Sequence, residues 1–255
     1  MAVYDLYSRS LHSPLYQILG GAGKEVETDI TISINPIEVM VQDSLKAINR
    51  GYHILKVKVG KDGMKDVERI SRIRLAAGPE IAIRVDANQG WTPKEAVRII
   101  TRMEDLGLDI ELIEQPVAAH DLYGMQYVTA HSTTPILADE SVFTPGDAIR
   151  LLEMHGADML NIKLMKTAGI HQALKICSIA EIYGVQCMMG CMLESKLAVS
   201  AAAHLAAGKK VITKVDLDGP ALCRTAPFVG GPEYDGAHIR MNETYGIGIT
   251  YSPDS

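Results

Sequence analysis

The sequence predicts an α/β protein built as a parallel (β/α) barrel. Eight β-rich runs alternate with longer amphipathic segments, one unit every 25 residues or so. Consecutive parallel strands need crossover connections, and those segments supply them. No Gly-x-Gly-x-x-Gly turn follows the first strand and no Walker motif is present, so the nucleotide-binding open sheet loses support. Eight units in about 200 residues suit a barrel better.

The elements follow in order. "MAVYDLYSRSLHSPLYQILGG" reads as an amphipathic helix stopped at Gly20-Gly21, without the positive-then-apolar layout of a signal peptide. The predicted strands are 28–34, 53–59, 80–86, 108–114, 134–139, 157–163, 185–190 and 211–216. Between them, "TPKEAVRIITRMEDLG" has a Thr N-cap, Pro at N1, an early Glu and a closing Gly, and "TPGDAIRLLEMHG" repeats that logic. The stretch "LDGPALCRTAPFVGGPEYDG" is rich in Gly and Pro, which predicts a last unit without a full helix.

Composition excludes several classes. The chain has 255 residues, 47% hydrophobic, enough for a substantial core, and a formal charge of -6 with no basic face for nucleic acid. Its apolar runs fall short of a membrane span. Cys177, Cys187, Cys191 and Cys223 form no paired metal motif and read as reduced thiols of a cytoplasmic protein.

Charge sits where a barrel carries its chemistry. "IAIRVD" ends in Asp86, "IELIE" in Glu114, "PILAD" in Asp139 and "MLNIK" in Lys163, all at C-terminal strand ends. An isolated acid there is usually a helix N-cap or a solvated charge. Three on consecutive strands repel unless neutralised, and oxygen ligands favour a hard divalent cation, Mg²⁺. Zinc is disfavoured because no His or Cys stands at a matching position. In "ILKVKVG", Lys56 and Lys58 share one face of a strand. A second cation beside an amine lowers its pKa, so Lys56 is expected to tune Lys58 as a base, with Lys163 arriving from the other side. Two opposed lysines and a divalent metal suit proton transfer at a carbon α to a carboxylate, through a metal-stabilised enediolate.

The motifs "KVKVG", "RVDANQGW", "IEQP", "LADES" and "NIKLMKTAGI" resemble the muconate-lactonising subgroup of the enolase superfamily over about residues 1–250. The resemblance implies a (β/α)7β-type TIM barrel with Lys58 and Lys163 as catalytic acid/bases and Lys56 in support. It implies Asp86, Glu114 and Asp139 as Mg²⁺ ligands. "VDLDGP" resembles the Asp-x-Asp pair with which dipeptide epimerases hold an α-ammonium, implying Asp216 and Asp218 as substrate-binding residues and an L-Ala-D/L-Glu type epimerase. "GCMLES" resembles the substrate-lining loop, which adds Cys191 and Glu194, although ordinary loop polarity explains those two nearly as well. Cycloisomerase, succinylbenzoate synthase and amino-acid racemase are the alternatives within the subgroup. A non-catalytic barrel subunit needing a partner chain is the alternative outside it.

Family members carry an α+β capping domain before the barrel, and the resemblance implies that most of it is missing here. The expected layout is a residual cap helix in 1–25, the barrel in 26–225 and a segment in 226–255 that packs toward the cap. The expected partners are a small dipeptide or amino-acid-like substrate and either further copies of the chain or a separate capping chain, with no nucleic acid or membrane.

Overall fold

The computed structural model describes residues 1–222 and 227–252. Cys223 and part of the predicted last unit lie outside them. The strands are β1 (Glu25–Glu27), β2 (Ile30–Ile32), β3 (Ile54–Lys58), β4 (Ala82–Asp86), β5 (Ile110–Glu114), β6 (Ile136–Ala138), β7 (Met159–Lys163), β8 (Gln186–Gly190), β9 (Ile212–Asp216), β10 (Phe228–Gly230), β11 (Glu233–Asp235), β12 (His238–Arg240) and β13 (Ile249–Tyr251). The helices are α1 (Ala2–Ser10), α2 (Leu15–Ile18), α3 (Ile37–Asn49), α4 (Met64–Ala77), α5 (Pro93–Asp105), α6 (Leu122–Ala130), α7 (Pro145–Glu153), α8 (Ile170–Tyr183), α9 (Lys196–Gly208) and α10 (Gly219–Leu222). The eight-stranded sheet runs β2-β3-β4-β5-β6-β7-β8-β9, each strand beside its predecessor in the chain. That is the connectivity of a (β/α) barrel, as the alternation predicts.

The chain divides into two compact units. In Asp29–Asn161, β3, β4 and β5 pair in parallel, so that Lys58 stands opposite Asp86 and Asp86 opposite Glu114. Leu55, Val57, Ile83, Val85, Leu112 and Ile113 are fully buried along these strands. α5 and α7 are the two helices with the Thr-Pro start. In α7 the Asp147 amide donates to Thr144 Oγ1 at 3.2 Å, and Asp147 Oδ2 accepts from the Thr144 amide at 2.9 Å. Such a reciprocal cap is worth about 1 kcal/mol. One buried ion cluster lies lower on β4: the Arg84 guanidinium reaches Asp29 at 2.8 Å and Glu111 at 2.6 Å.

The second unit comprises Met1–Thr28 and Ile162–Ser255. Its centre is α9, whose residues from Val199 to Gly208 are all buried, five of them alanines. A helix apolar all round has to sit inside. Its end is tight: a side chain on Gly208 would meet Leu19 Cβ at 2.8 Å, and one on Gly20 would meet the Gly208 carbonyl at 2.6 Å.

Two expectations need correction here. The N-terminal stretch is two helices, because Pro14 disfavours helical backbone at Ser13, and the chain turns through His12 at φ +51°. The C-terminal stretch, read only as a segment, supplies four strands to two small antiparallel sheets, β10-β13 and β1-β12-β11, the latter completed by β1 from the N-terminal part. Their three-residue strands are too short to leave a period in the sequence. Among the described residues, no helix is long and apolar enough to cross a membrane.

His204 lies fully buried in α9 and accepts from the Tyr16 amide at 3.1 Å through Nδ1. Burial pushes its pKa down from 6.5 to about 4, against smaller raising effects of the Ile247 backbone and Asp5. The neutral ring therefore contributes stability that is complete above pH 6.5 and lost as pH falls toward 4. Denaturant unfolding of the wild type should lose on the order of 3 kcal/mol more over that window than His204→Asn does. Equal losses in the two proteins would contradict this assignment.

Candidate active site

The first group of predicted residues lies within Asp29–Asn161. Period 2 on β3 sends Lys56 and Lys58 to the same face. Lys56 is 2% exposed, and its Nζ lies 2.8 Å from Glu114 Oε2 and 3.2 Å from Asp86 Oδ2. Lys58 Nζ donates to the same Asp86 oxygen at 2.6 Å and to Asn88 Oδ1 at 2.7 Å. Asp86 and Glu114 are almost wholly buried, and Asp139, one residue past β6, is 2% exposed. Burial of this kind is tolerable only because ammonium groups and hydrogen bonds meet the carboxylates.

Further buried polar residues complete the frame, and sequence reasoning missed them. Gln115 has backbone φ +37° and is fully buried. Its Oε1 accepts from the Asp139 and Ser141 amides at 2.9 and 3.1 Å, and its Nε2 donates to Val117 O and Ser141 Oγ. One glutamine thus ties the loop after β5 to the loop carrying Asp139. Asn161 on β7 donates to Glu114 Oε1 at 2.7 Å. The loop after Lys58 is held by Asp66, fully buried, which accepts from the Gly60 amide at 2.9 Å, Trp91 Nε1 at 3.2 Å and Arg69 Nη1 at 2.6 Å. The only advance signals were a polar Asn in an apolar run, the Asn-Gln-Gly run after β4 and a lone Gln directly after β5.

The second group lies in the other unit. Lys163 ends β7 at 5% exposure, and the Lys166 and Thr167 amides donate to its carbonyl in a tight turn. Asp216 ends β9 at 3% exposure, and Asp218 lies two residues past it at 5%. Between them the Leu217 amide donates to Thr28 Oγ1 at 2.8 Å, which pins the Asp-x-Asp turn. Gly219 lets the loop after β8 approach closely: a Cβ there would lie 3.3 Å from Cys191 Sγ. Burial, with Asp216 and Asp218 nearby, pushes the Cys191 thiol well up, which favours the protonated form. Burial also raises the Glu194 carboxyl, opposed by the Met192 amide it accepts from at 2.8 Å and by Lys163.

The donor set decides which metal these residues suit. Asp86, Glu114 and Asp139 supply carboxylate oxygens alone, which fits a hard cation such as Mg²⁺ and not zinc. The acids are not drawn into a finished ligand cluster. Among the described residues, no three His, Cys, Asp or Glu side chains are grouped for metal binding, and the Lys56 ammonium bridges Asp86 and Glu114.

Lysines and acids at the ends of parallel barrel strands define the class, a (β/α)-barrel enzyme. The chain belongs to the Enolase C-terminal domain-like family, whose model matches residues 40–255. It is 54% identical over 98% of its length to an L-Ala-D/L-Glu epimerase of Clostridium acetobutylicum, covering 70% of that protein. The solved substrate-liganded L-Ala-D/L-Glu epimerase of Bacillus subtilis superposes with a TM-score of 0.96 at 50% identity, over 98% of this chain and 70% of that one. The dipeptide epimerase of Enterococcus faecalis V583, complexed with Mg and L-Leu-L-Tyr, gives 0.94 at 45% identity, over 97% and 70%. Relatives of this kind make the chain an isomerase.

The support of Lys58 can be tested at Gly60, which has φ +101° and whose Cβ would fall 2.2 Å from the Ala87 carbonyl. Gly60→Ala should destabilise the chain by on the order of 3 kcal/mol, from strain and clash together. Gly51→Ala, at φ +88° with nothing within 4 Å, should lose only about 1 kcal/mol. Urea midpoints for the two variants check this, and equal losses would contradict it.

Proposed function

We propose that the chain is a Mg²⁺-dependent dipeptide epimerase of the L-Ala-D/L-Glu type, working by 1,1-proton transfer at the α-carbon of the C-terminal residue. The observation that carries the substrate class is the Asp216/Asp218 pair. Two nearly solvent-free carboxylates two residues apart, at and just past the end of one strand, supply anionic oxygens of the kind that can hold a dipeptide's α-ammonium. Likeness to the epimerases of Clostridium acetobutylicum and Bacillus subtilis supports the same reading.

In this reading Asp86, Glu114 and Asp139 would hold the metal, a role supported by their donor chemistry and by the Mg complex of the Enterococcus relative. When bound, Mg²⁺ supplies positive charge against the negative charge that grows on the substrate carboxylate. Lys58 and Lys163 are the two acid/bases, each serving one face of the α-carbon. One takes the proton and the other returns one to the opposite face, which inverts the centre. Lys56 keeps Asp86 and Glu114 compensated beside Lys58. Cys191 and Glu194 line the substrate's surroundings and take no part in the proton transfer.

Incubation with Mg²⁺ and L-Ala-L-Glu in D₂O, followed by proton NMR, tests this. The α-proton of the glutamyl residue should exchange and the diastereomer L-Ala-D-Glu should appear. Lys58→Ala and Lys163→Ala should each lower inversion by roughly 10²- to 10⁴-fold. Each variant should still exchange the proton of the one epimer that faces its remaining lysine. A panel of dipeptides showing no exchange, with Mg²⁺ bound, would overturn the proposal. Asp218→Asn should raise KM for L-Ala-L-Glu by about 10-fold or more through the lost ammonium contact. An unchanged KM would remove that residue from the substrate site.

A further inference from the structure

Glu140 is the residue after Asp139, half-buried in the turn that follows β6. Its Oε1 accepts from two side-chain amides at once, Asn88 Nδ2 at 3.2 Å and Gln89 Nε2 at 3.3 Å. Its Oε2 is shut away from solvent and makes no hydrogen bond among the described residues. A carboxylate held this way has one evident task, to fix those two amides.

Both amides come from backbone that resists its conformation. Asn88 has φ +42° and Gln89 φ +67°, so the surroundings have to hold this turn in place. Gln89 is tied down further by Ala119, whose amide donates to its Oε1 at 2.8 Å. Asn88 is tied by its own amide, which donates to Asp86 Oδ1 at 2.9 Å. An amide group is planar, so fixing the Asn88 nitrogen on Glu140 also fixes where its oxygen points. That oxygen accepts from Lys58 Nζ at 2.7 Å.

The consequence lies at the lysine nitrogen. A tetrahedral Nζ has one bond to Cε and three other directions. Asp86 Oδ2 takes one at 2.6 Å and Asn88 Oδ1 takes a second. In the neutral amine, with both N–H groups so engaged, the lone pair is confined to the third. Misaiming such a base by a fraction of an ångström is costly in rate. We propose that Glu140 is a positioning residue that, through the Asn88 amide, aims the Lys58 lone pair. The proposal rests on the epimerase reading only for what the aimed lone pair does.

Two measurements test it, and the first needs no activity. In protein labelled with ¹⁵N at lysine Nζ, the Lys58 signal is assigned by its loss in Lys58→Arg. Glu140→Ala should shift that signal and speed its hydrogen exchange about 10-fold, with other lysine signals in place as the check on folding. Glu140→Gln, which keeps an acceptor oxygen, should leave it near the wild-type position. An unmoved Lys58 signal in folded Glu140→Ala overturns the proposal. The second measurement is α-proton exchange from each epimer separately in D₂O. Glu140→Ala should slow exchange about 10-fold or more from the epimer that depends on Lys58, as defined by Lys58→Ala, and less than about 3-fold from the other. An equal slowing of both would mean a merely structural role and also overturn it. Should the wild type exchange neither epimer, the epimerase reading fails, and the Lys58 signal still decides the role of Glu140.

Discussion

The row Lys58, Asp86, Glu114 is the constraint around which the site is arranged. Parallel register puts these residues level at three neighbouring strand ends, so a partly exposed cation and two buried anions meet side by side. Neither acid is affordable alone in that setting, because an isolated buried charge costs several kcal/mol. Lys56, one pleat lower, closes the group by touching both acids. The β-branched and aliphatic residues between them form the strands, and the alternation of β3 leaves the lysines no other face.

Holding charges at such distances needs stiff surroundings, and the loops provide them with buried hydrogen bonds. Gln115 and Asp66 each tie two loops together, and neither side chain is exposed. The same loops store strain. Asn88, Gln89 and Gln115 have positive φ, as does Ala168 in the turn after Lys163. Strained backbone persists where neighbouring contacts over-determine it, and it gathers at sites that must be pre-organised. The close approach of Gly60 to Ala87 and Gly90 belongs to the same economy of space.

Much of this was legible in the sequence, for physical reasons that also mark its limits. All eight barrel strands stand where apolar β-rich runs stand, and Asp86, Glu114 and Lys163 end theirs. Charge after an apolar run is a strong local signal, so the acids and lysines could be picked out without a structure. Pro14 warned of a helix break that periodicity alone smoothed over. The small sheets of β1 and β10–β13 left no signal, since three residues do not define a period. Gln115, Asn161 and Glu140 were hidden for another reason: their partners are far along the chain, and two amides and a carboxylate look like ordinary polarity until the partners are known.

The proposed site for a hard divalent cation is formed by the Asp86, Glu114 and Asp139 carboxylates, with Lys56 touching two of them. Titration calorimetry with Mg²⁺ tests it most directly, on the wild type and on Glu114→Gln. The account predicts saturable binding of one Mg²⁺ per chain, weakened about 10-fold or more in the variant. Absence of Mg²⁺ binding, or equal affinity in both proteins, would contradict it.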